Sequence, residues 1–143
     1  MRIPDLNLLL YAVDERAAPH AAALDWWNAT LSGNETVGLP WAVLLGFLRL
    51  TTNPRIFAAP LDPADALDYL DRWLAHPATT VIEPTARHAR VLRDLLGPTG
   101  TGGNLVADAH LAALAIEHGA ELCSADRDFG RFPGLRWMNP LER

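Results

Sequence analysis

Short apolar or β-branched runs alternate with longer stretches of helical periodicity along the whole of this 143-residue chain, and that alternation narrows the possible folds more than any other feature. "RIPD" (2–5), "ETVGLP" (35–40), "TTVIEP" (79–84), "AELCS" (120–124) and "GLRWMNP" (134–140) read as strands. Between them, "LNLLLYAV" (6–13), "PHAAALDWWNATLSG" (19–33), "WAVLLGFLRLTT" (41–52), "LDPADALDYLDRWLAHP" (61–77), "TARHARVLRDLLG" (85–97) and "LVADAHLAALAIEHG" (105–119) read as helices. Gly33, Gly97 and Gly119 supply helix stops, Asn53-Pro54 a turn, Asp62 with Pro63 a helix start, and Asn104 an N-cap. Strands separated by helices predict βαβ units, hence an α/β fold whose parallel sheet is covered on both faces. The length predicts one domain over 1–143.

Composition removes several functions. All twelve basic residues are Arg and none is Lys, so a Walker phosphate loop has no lysine to offer. Receiver domains and haloacid-dehalogenase-type phosphotransferases, which also gather aspartates at strand ends, lose support for the same reason. A net charge of −5 argues against a broad basic face for nucleic acid, so any contact with RNA is local. No apolar run reaches the roughly 20 residues of a membrane span. The first residues lack a signal-peptide pattern, and a cytoplasmic protein with no membrane partner is expected. The single cysteine, Cys123, lies in an apolar run and reads as packing.

Loops at the carboxyl ends of parallel strands converge where strand order reverses, and ligands bind there. Asp5 ends the first expected strand, and Asp126 and Asp128 follow the fourth. Asp108 stands one turn into a helix beside Leu105, Val106, Ala107, Ala109, Leu111 and Ala112, which leave it little solvent-facing surface. An ionised carboxylate there requires a partner. Converging carboxylates raise one another's pKa, and a hard divalent ion such as Mg²⁺ or Mn²⁺ relieves the conflict. The implied chemistry is metal-assisted phosphodiester hydrolysis.

"PDLNLLLYA" at Asp5, "GGNLVADAHLAALAIEHGA" around Asp108 and "LCSADRDFGRFPGLRWMNP" around Asp126 resemble, in joint order and spacing, a PIN-domain ribonuclease of the VapC toxin type. The resemblance runs from Met1 to about Pro140. It implies an α/β/α sandwich with a short, mainly parallel central sheet. It also implies a Mg²⁺- or Mn²⁺-dependent endoribonuclease, homodimeric and inhibited by a VapB-type antitoxin. By that resemblance Asp5, Asp108 and Asp126 are metal-binding and catalytic acids, with Asp128 supporting them. Asn7 would orient Asp5 or a water, and Ser124 would hydrogen-bond within the site.

The chain also departs from the family pattern. Members usually carry a glutamate in the helix after the second strand, yet "PWAVLLGFLRL" (Pro40 to Leu50) has no acid, and Gly46 or Leu44 stands there instead. The alternative is therefore a catalytically weak or inactive PIN-like module that binds RNA or a protein partner. Pro4 reads as a strand-end feature. Asp126 and Asp128 serve equally well as turn caps. "GPTGTGGN" (97–104) reads as a flexible loop rather than a phosphate cradle. Trp26, Trp27 and Trp73 suit core packing or a partner surface. Arg49 and Arg55 are candidates for RNA phosphates or for pairing with the next helix. His20, His76, His88, His110 and His118 stand at no metal-ligand spacing and read as exposed polar groups, with His110 on a different helix face from Asp108.

Overall fold

The computed structural model describes residues 1–100 and 102–142. Its strands are β1 (Arg2–Pro4), β2 (Val37–Pro40), β3 (Thr79–Ile82), β4 (Glu121–Cys123) and β5 (Trp137–Met138). Its helices are α1 (Leu6–Val13), α2 (His20–Ser32), α3 (Trp41–Thr51), α4 (Pro63–Ala75), α5 (His88–Leu96) and α6 (Leu105–Glu117). All strands are parallel, in the order β3-β2-β1-β4-β5. The α/β class is as expected, with a sheet parallel throughout.

This order decides where the helices lie. Crossovers between parallel strands are right-handed. The two steps from β1 to β2 and on to β3 therefore lay α1 to α4 on one face, and the return from β3 to β4 lays α5 and α6 on the other. Packing agrees: α1 contacts α2 and α3, α3 contacts α4, and α5 contacts α6. The chain leaves β1 toward one side and reaches β4 from the other, so the reversal of strand order lies between β1 and β4. There β1 pairs with β2 only at Arg2 but with β4 as far as Pro4, opposite Cys123. The donor that Pro4 lacks thus falls where pairing with β2 has ended, and the crevice of the switch point lies beyond the paired carboxyl ends of β1 and β4.

Ile3, Leu39 and Leu122 fill the sheet interior. Trp27 and Trp73 are core residues: Trp73 meets Trp27 edge-on at 5.8 Å and Phe47 at 4.8 Å. Alanines make α6 thin on its packed sides, where Ala109, Ala112, Ala113 and Ala115 are buried. Gly119 adopts φ +61° and ends α6 in a Schellman turn, with Gly119 N–H on the Ile116 carbonyl and Ala120 N–H on that of Ala115. The expected helix ends are in place, with differences in how they are made. Asp62 and Asn104 sit at N-cap positions, but neither side chain makes a capping bond; Asn104 is already in helical conformation, so its side chain is not aimed at the first turn's amides. Gly97 does close α5 as its C-cap, though in right-handed conformation; a 3-10 turn over Gly97–Thr99 follows, and Gly100 takes the left-handed conformation at φ +68°. Of the glycine-rich loop, Thr101 lies outside the described residues. Among those described, no helix is long and apolar enough to cross a membrane.

Candidate active site

The β1–β4 crevice is built around Asp5. Its backbone N–H continues the pairing by donating to the Cys123 carbonyl at 2.8 Å, which fixes where the side chain emerges. Asp5 caps α1: Oδ1 accepts from Leu6 N–H at 2.7 Å. Oδ2 accepts from the fully buried Ser124 hydroxyl at 2.7 Å. Ser124 Oγ in turn accepts from Asn7 Nδ2 at 3.3 Å and from Asp126 N–H at 3.0 Å, so all its hydrogen-bonding capacity is used. One hydroxyl thereby ties the end of β1, the start of α1 and the loop after β4 into a fixed geometry.

Asp126 caps the short 3-10 turn Arg127–Arg131, accepting from Asp128 N–H at 2.9 Å, so the capping role open to it from sequence is realised. Its other oxygen has no protein partner among the described residues. Asp128 is exposed and pairs with Arg131 at 3.5 Å. Asp108, in the first turn of α6, has no hydrogen-bond partner among the described residues. Its surroundings correct the expectation of apolar enclosure: Ala107 and Val106 are exposed and Asp108 is only partly covered, because the first turn of α6 projects into the crevice.

Electrostatics link these acids. Burial lifts the Asp5 carboxyl above its usual value and outweighs the hydrogen bonds from Ser124 and Leu6; the charge on Asp126 adds to the lift. Asp108 is raised by desolvation first, then by repulsion from Asp126, Asp5 and Asp128, with Arg131 pulling the other way. The four aspartates thus share one field. Their convergence is looser than expected, however: among the described residues, no three His, Cys, Asp or Glu side chains stand close enough together to hold a metal ion.

A cleft of about 640 Å³ runs from Asp5 and Asp108 between α3 and α6, lined also by Gly46, Arg49, Val106 and His110. Arg49 therefore lies in it, whereas Arg55 is exposed outside its lining, and neither makes an ion pair among the described residues. Of the two residues that stand where the family usually has a glutamate, Leu44 is fully buried, and at Gly46 a Cβ would stand 2.7 Å from Leu6 Cδ2. Leu6 occupies the space an acidic side chain would need. Cys123 is buried, its thiol pushed up to about 12 mainly by burial, consistent with packing alone.

The histidines depart most from the sequence reading. His110 lines the same cleft as Asp108 rather than turning away from it. His88 hydrogen-bonds through Nδ1 to Oε2 of Glu117 and through Nε2 to Nδ1 of His110, the latter at 2.9 Å. Burial and the neighbouring His88 push His110 below its usual value, against the pull of Glu117. Glu117 was available to sequence reasoning: a carboxylate late in a nearly all-apolar helix requires a partner just as Asp108 does.

The PIN domain family profile matches residues 2–135. Ribonuclease VapC37 of Mycobacterium tuberculosis is 48% identical over 140 residues, 98% of this chain and 97% of that protein. Ribonuclease VapC33 of the same species is 44% identical over 141 residues, 99% of each. Among solved structures, VapBC2 from Rickettsia felis bound to a DNA fragment from their promoter has a TM-score of 0.71 at 20% identity, covering 96% of this chain and 97% of that one. That last likeness bears on the fold alone. With crevice, acids and full-length similarity in agreement, the chain belongs to the PIN-domain family, among its VapC-type ribonucleases.

Proposed function

We propose that this protein is a cytoplasmic endoribonuclease, the toxin of a type II toxin–antitoxin pair, hydrolysing RNA phosphodiester bonds at the β1–β4 crevice. The observation that carries the reading is the shared electrostatic field of Asp5, Asp108, Asp126 and Asp128 at the reversal of strand order. A single PIN-like domain over 1–143, a homodimer and a VapB-type antitoxin complete it, the last two by analogy with the relatives.

The donor set fits a hard divalent cation: carboxylate oxygens with one serine hydroxyl behind them, and no sulfur or lysine. Asp5, Asp108 and Asp126 would hold Mg²⁺ or Mn²⁺, with Asp128 in support. When bound, such an ion supplies charge stabilisation at phosphoryl oxygens and lowers the pKa of water. The protein's own contribution is positional. Ser124 and Asn7 fix Asp5 against the loop that carries Asp126. Arg49 offers the cleft a cation for a phosphate, and a net charge of −5 keeps that contact local rather than spread over a basic face.

A specific observation favours a second reading. Helix α3 contributes no carboxylate, and Leu6 closes on Gly46 where one would project. A module reduced to binding RNA or a partner would look this way. Incubating total RNA with the protein, with and without Mg²⁺ or Mn²⁺, and beside an Asp5→Ala variant separates the two. Cleavage that needs both the ion and Asp5 is expected. No cleavage by either protein leaves the binding module, and identical cleavage by both removes Asp5 from the reaction.

A further inference from the structure

The cleft that holds Asp5 and Asp108 does not end between α3 and α6. Leu92 of α5 lines it, and Leu92 also lines a second, shallower trough of about 510 Å³. That trough follows α5 past Arg93 and Leu96 and takes in Gly100 and Gly102. The two hollows border each other again at Gly102, where a Cβ would stand 3.6 Å from Cγ2 of Val106, a residue of the cleft. They form one continuous surface.

The trough has an apolar floor and one free cation. Leu92 and Leu96 are half-buried, and Gly100 and Gly102 present no side chain. Arg93 is exposed, and its guanidinium makes no ion pair or hydrogen bond among the described residues. The adjacent acid, Asp94, does not line the trough; with Arg90 it lines a different hollow on another flank of α5, against Ile116 and Pro133.

An arginine in the last turn of a helix has an ordinary use, since it offsets the helix dipole. That use requires no hollow beside it. In a chain of net charge −5, a polyanion is repelled by most of the surface and by the crevice aspartates, and is held where a cation stands free. Arg49 is such a cation in the cleft, and Arg93 is another on the surface that leads away from it. An uncharged floor suits unstacked bases, while a guanidinium at the rim pairs with a phosphate. A strand already seated in the cleft enters the trough without a second recognition event, which favours RNA over a peptide.

We propose that the trough along α5 carries the single-stranded RNA flanking the scissile phosphate, and that Arg93 is a substrate-contact residue for one of its phosphates. This rests on RNA being the occupant of the cleft, as read above.

The test measures the affinity of a mixed-sequence single-stranded oligoribonucleotide against monovalent salt, in EDTA so that nothing is cut. For Arg93→Gln the slope of log affinity on log salt should be shallower than in wild type by about 0.7, the single-strand value for one phosphate contact, with affinity about fivefold lower near ~0.1 M salt. Arg93→Lys keeps a point charge and should keep the wild-type slope. Arg90→Gln removes the same charge from the other hollow and should also keep it. All three side chains are replaced on the exposed surface of α5, so packing is not at issue. An unchanged slope in R93Q overturns the proposal and leaves the trough to a protein segment or to nothing. Equal changes in R90Q and R93Q overturn it too, because they reduce the effect to net charge. Wild type that binds no RNA removes the occupant, and the proposal with it. Failure of the nuclease reading shows separately, in the Asp5→Ala cleavage comparison, which these binding slopes do not use.

Discussion

Two carboxylates in this molecule are withdrawn from water and meet opposite fates. Glu117 sits fully inside the α5–α6 layer; burial raises its pKa, but hydrogen bonds from Thr85 and His88 outweigh that and hold it below its usual value. Asp5 also has donors, from Leu6 and Ser124, yet burial and the Asp126 charge leave it raised. Asp108 has no hydrogen-bond donor and three like charges around it. The difference separates a carboxylate that stabilises the fold from carboxylates that the fold holds at some disadvantage. An anion whose lone pairs are met by protein donors has nothing left to offer a ligand. Anions that repel one another across an open crevice do.

The largest break in that contrast comes from deleting Glu117. Glu117→Ala strands the Thr85 amide and hydroxyl and the His88 ring in a buried site, and should destabilise by about 3–5 kcal/mol. For a chain of this length that lowers the thermal midpoint on the order of 10 °C, as scanning calorimetry would register. Asp108→Asn should do little to the fold and lower RNA cleavage about a hundredfold or more, by the measure of losing one charge-stabilising group from an active site. A midpoint drop in D108N as large as that of E117A would erase the distinction drawn between the two regions.

Gly46→Glu probes the boundary of the acidic region. The new side chain meets the movable end of the half-buried Leu6, so an overpacking loss of about 1 kcal/mol is expected in chemical denaturation, eased in a Leu6→Ala background. No eased loss would mean that Leu6 is not what excludes an acid there.

The smallest effect concerns pH. A carboxyl whose folded pKa is raised binds its proton more readily in the folded state, so its charge counts against folding at neutral pH. Acidification through that raised value removes the penalty. Asp108→Asn should therefore raise the midpoint at pH 7 by about a degree or two, a gain that vanishes near pH 4. For Glu117 the sign reverses: its folded pKa is lowered, so its contribution is present above the unfolded value and lost as the pH falls through the folded one. E117Q should therefore be most disadvantaged at neutral pH and recover relative to wild type in acid.

The order of elements, the parallel sheet and the gathering of acids at its switch point were legible in the sequence because each follows from periodicity and from residues at strand ends. Asp5, Asp108 and Asp126 are 103 and 18 residues apart in turn, yet topology alone brings them to one edge. The hydrogen-bonded row of His110, His88 and Glu117 was not legible, since His88 and Glu117 meet only through the angle at which α5 packs on α6, which no local pattern encodes. Side-chain capping failed at Asp62 and Asn104 for a related reason: residue type permits a cap, but backbone angle and competing surroundings decide whether one forms. The exposure of the first turn of α6 is not written in the sequence, because apolar neighbours along the chain are not the neighbours in space.

The central claim is that the crevice aspartates are held in mutual repulsion that a divalent cation relieves. Titrating Mg²⁺ into wild type and Asp108→Asn while following the thermal midpoint tests it directly. Wild type should start lower and climb with Mg²⁺, by up to about 3 kcal/mol of added stability at a hundredfold excess over the dissociation constant, while D108N starts higher and barely moves. Equal starting points and equal rises in the two proteins would contradict the account.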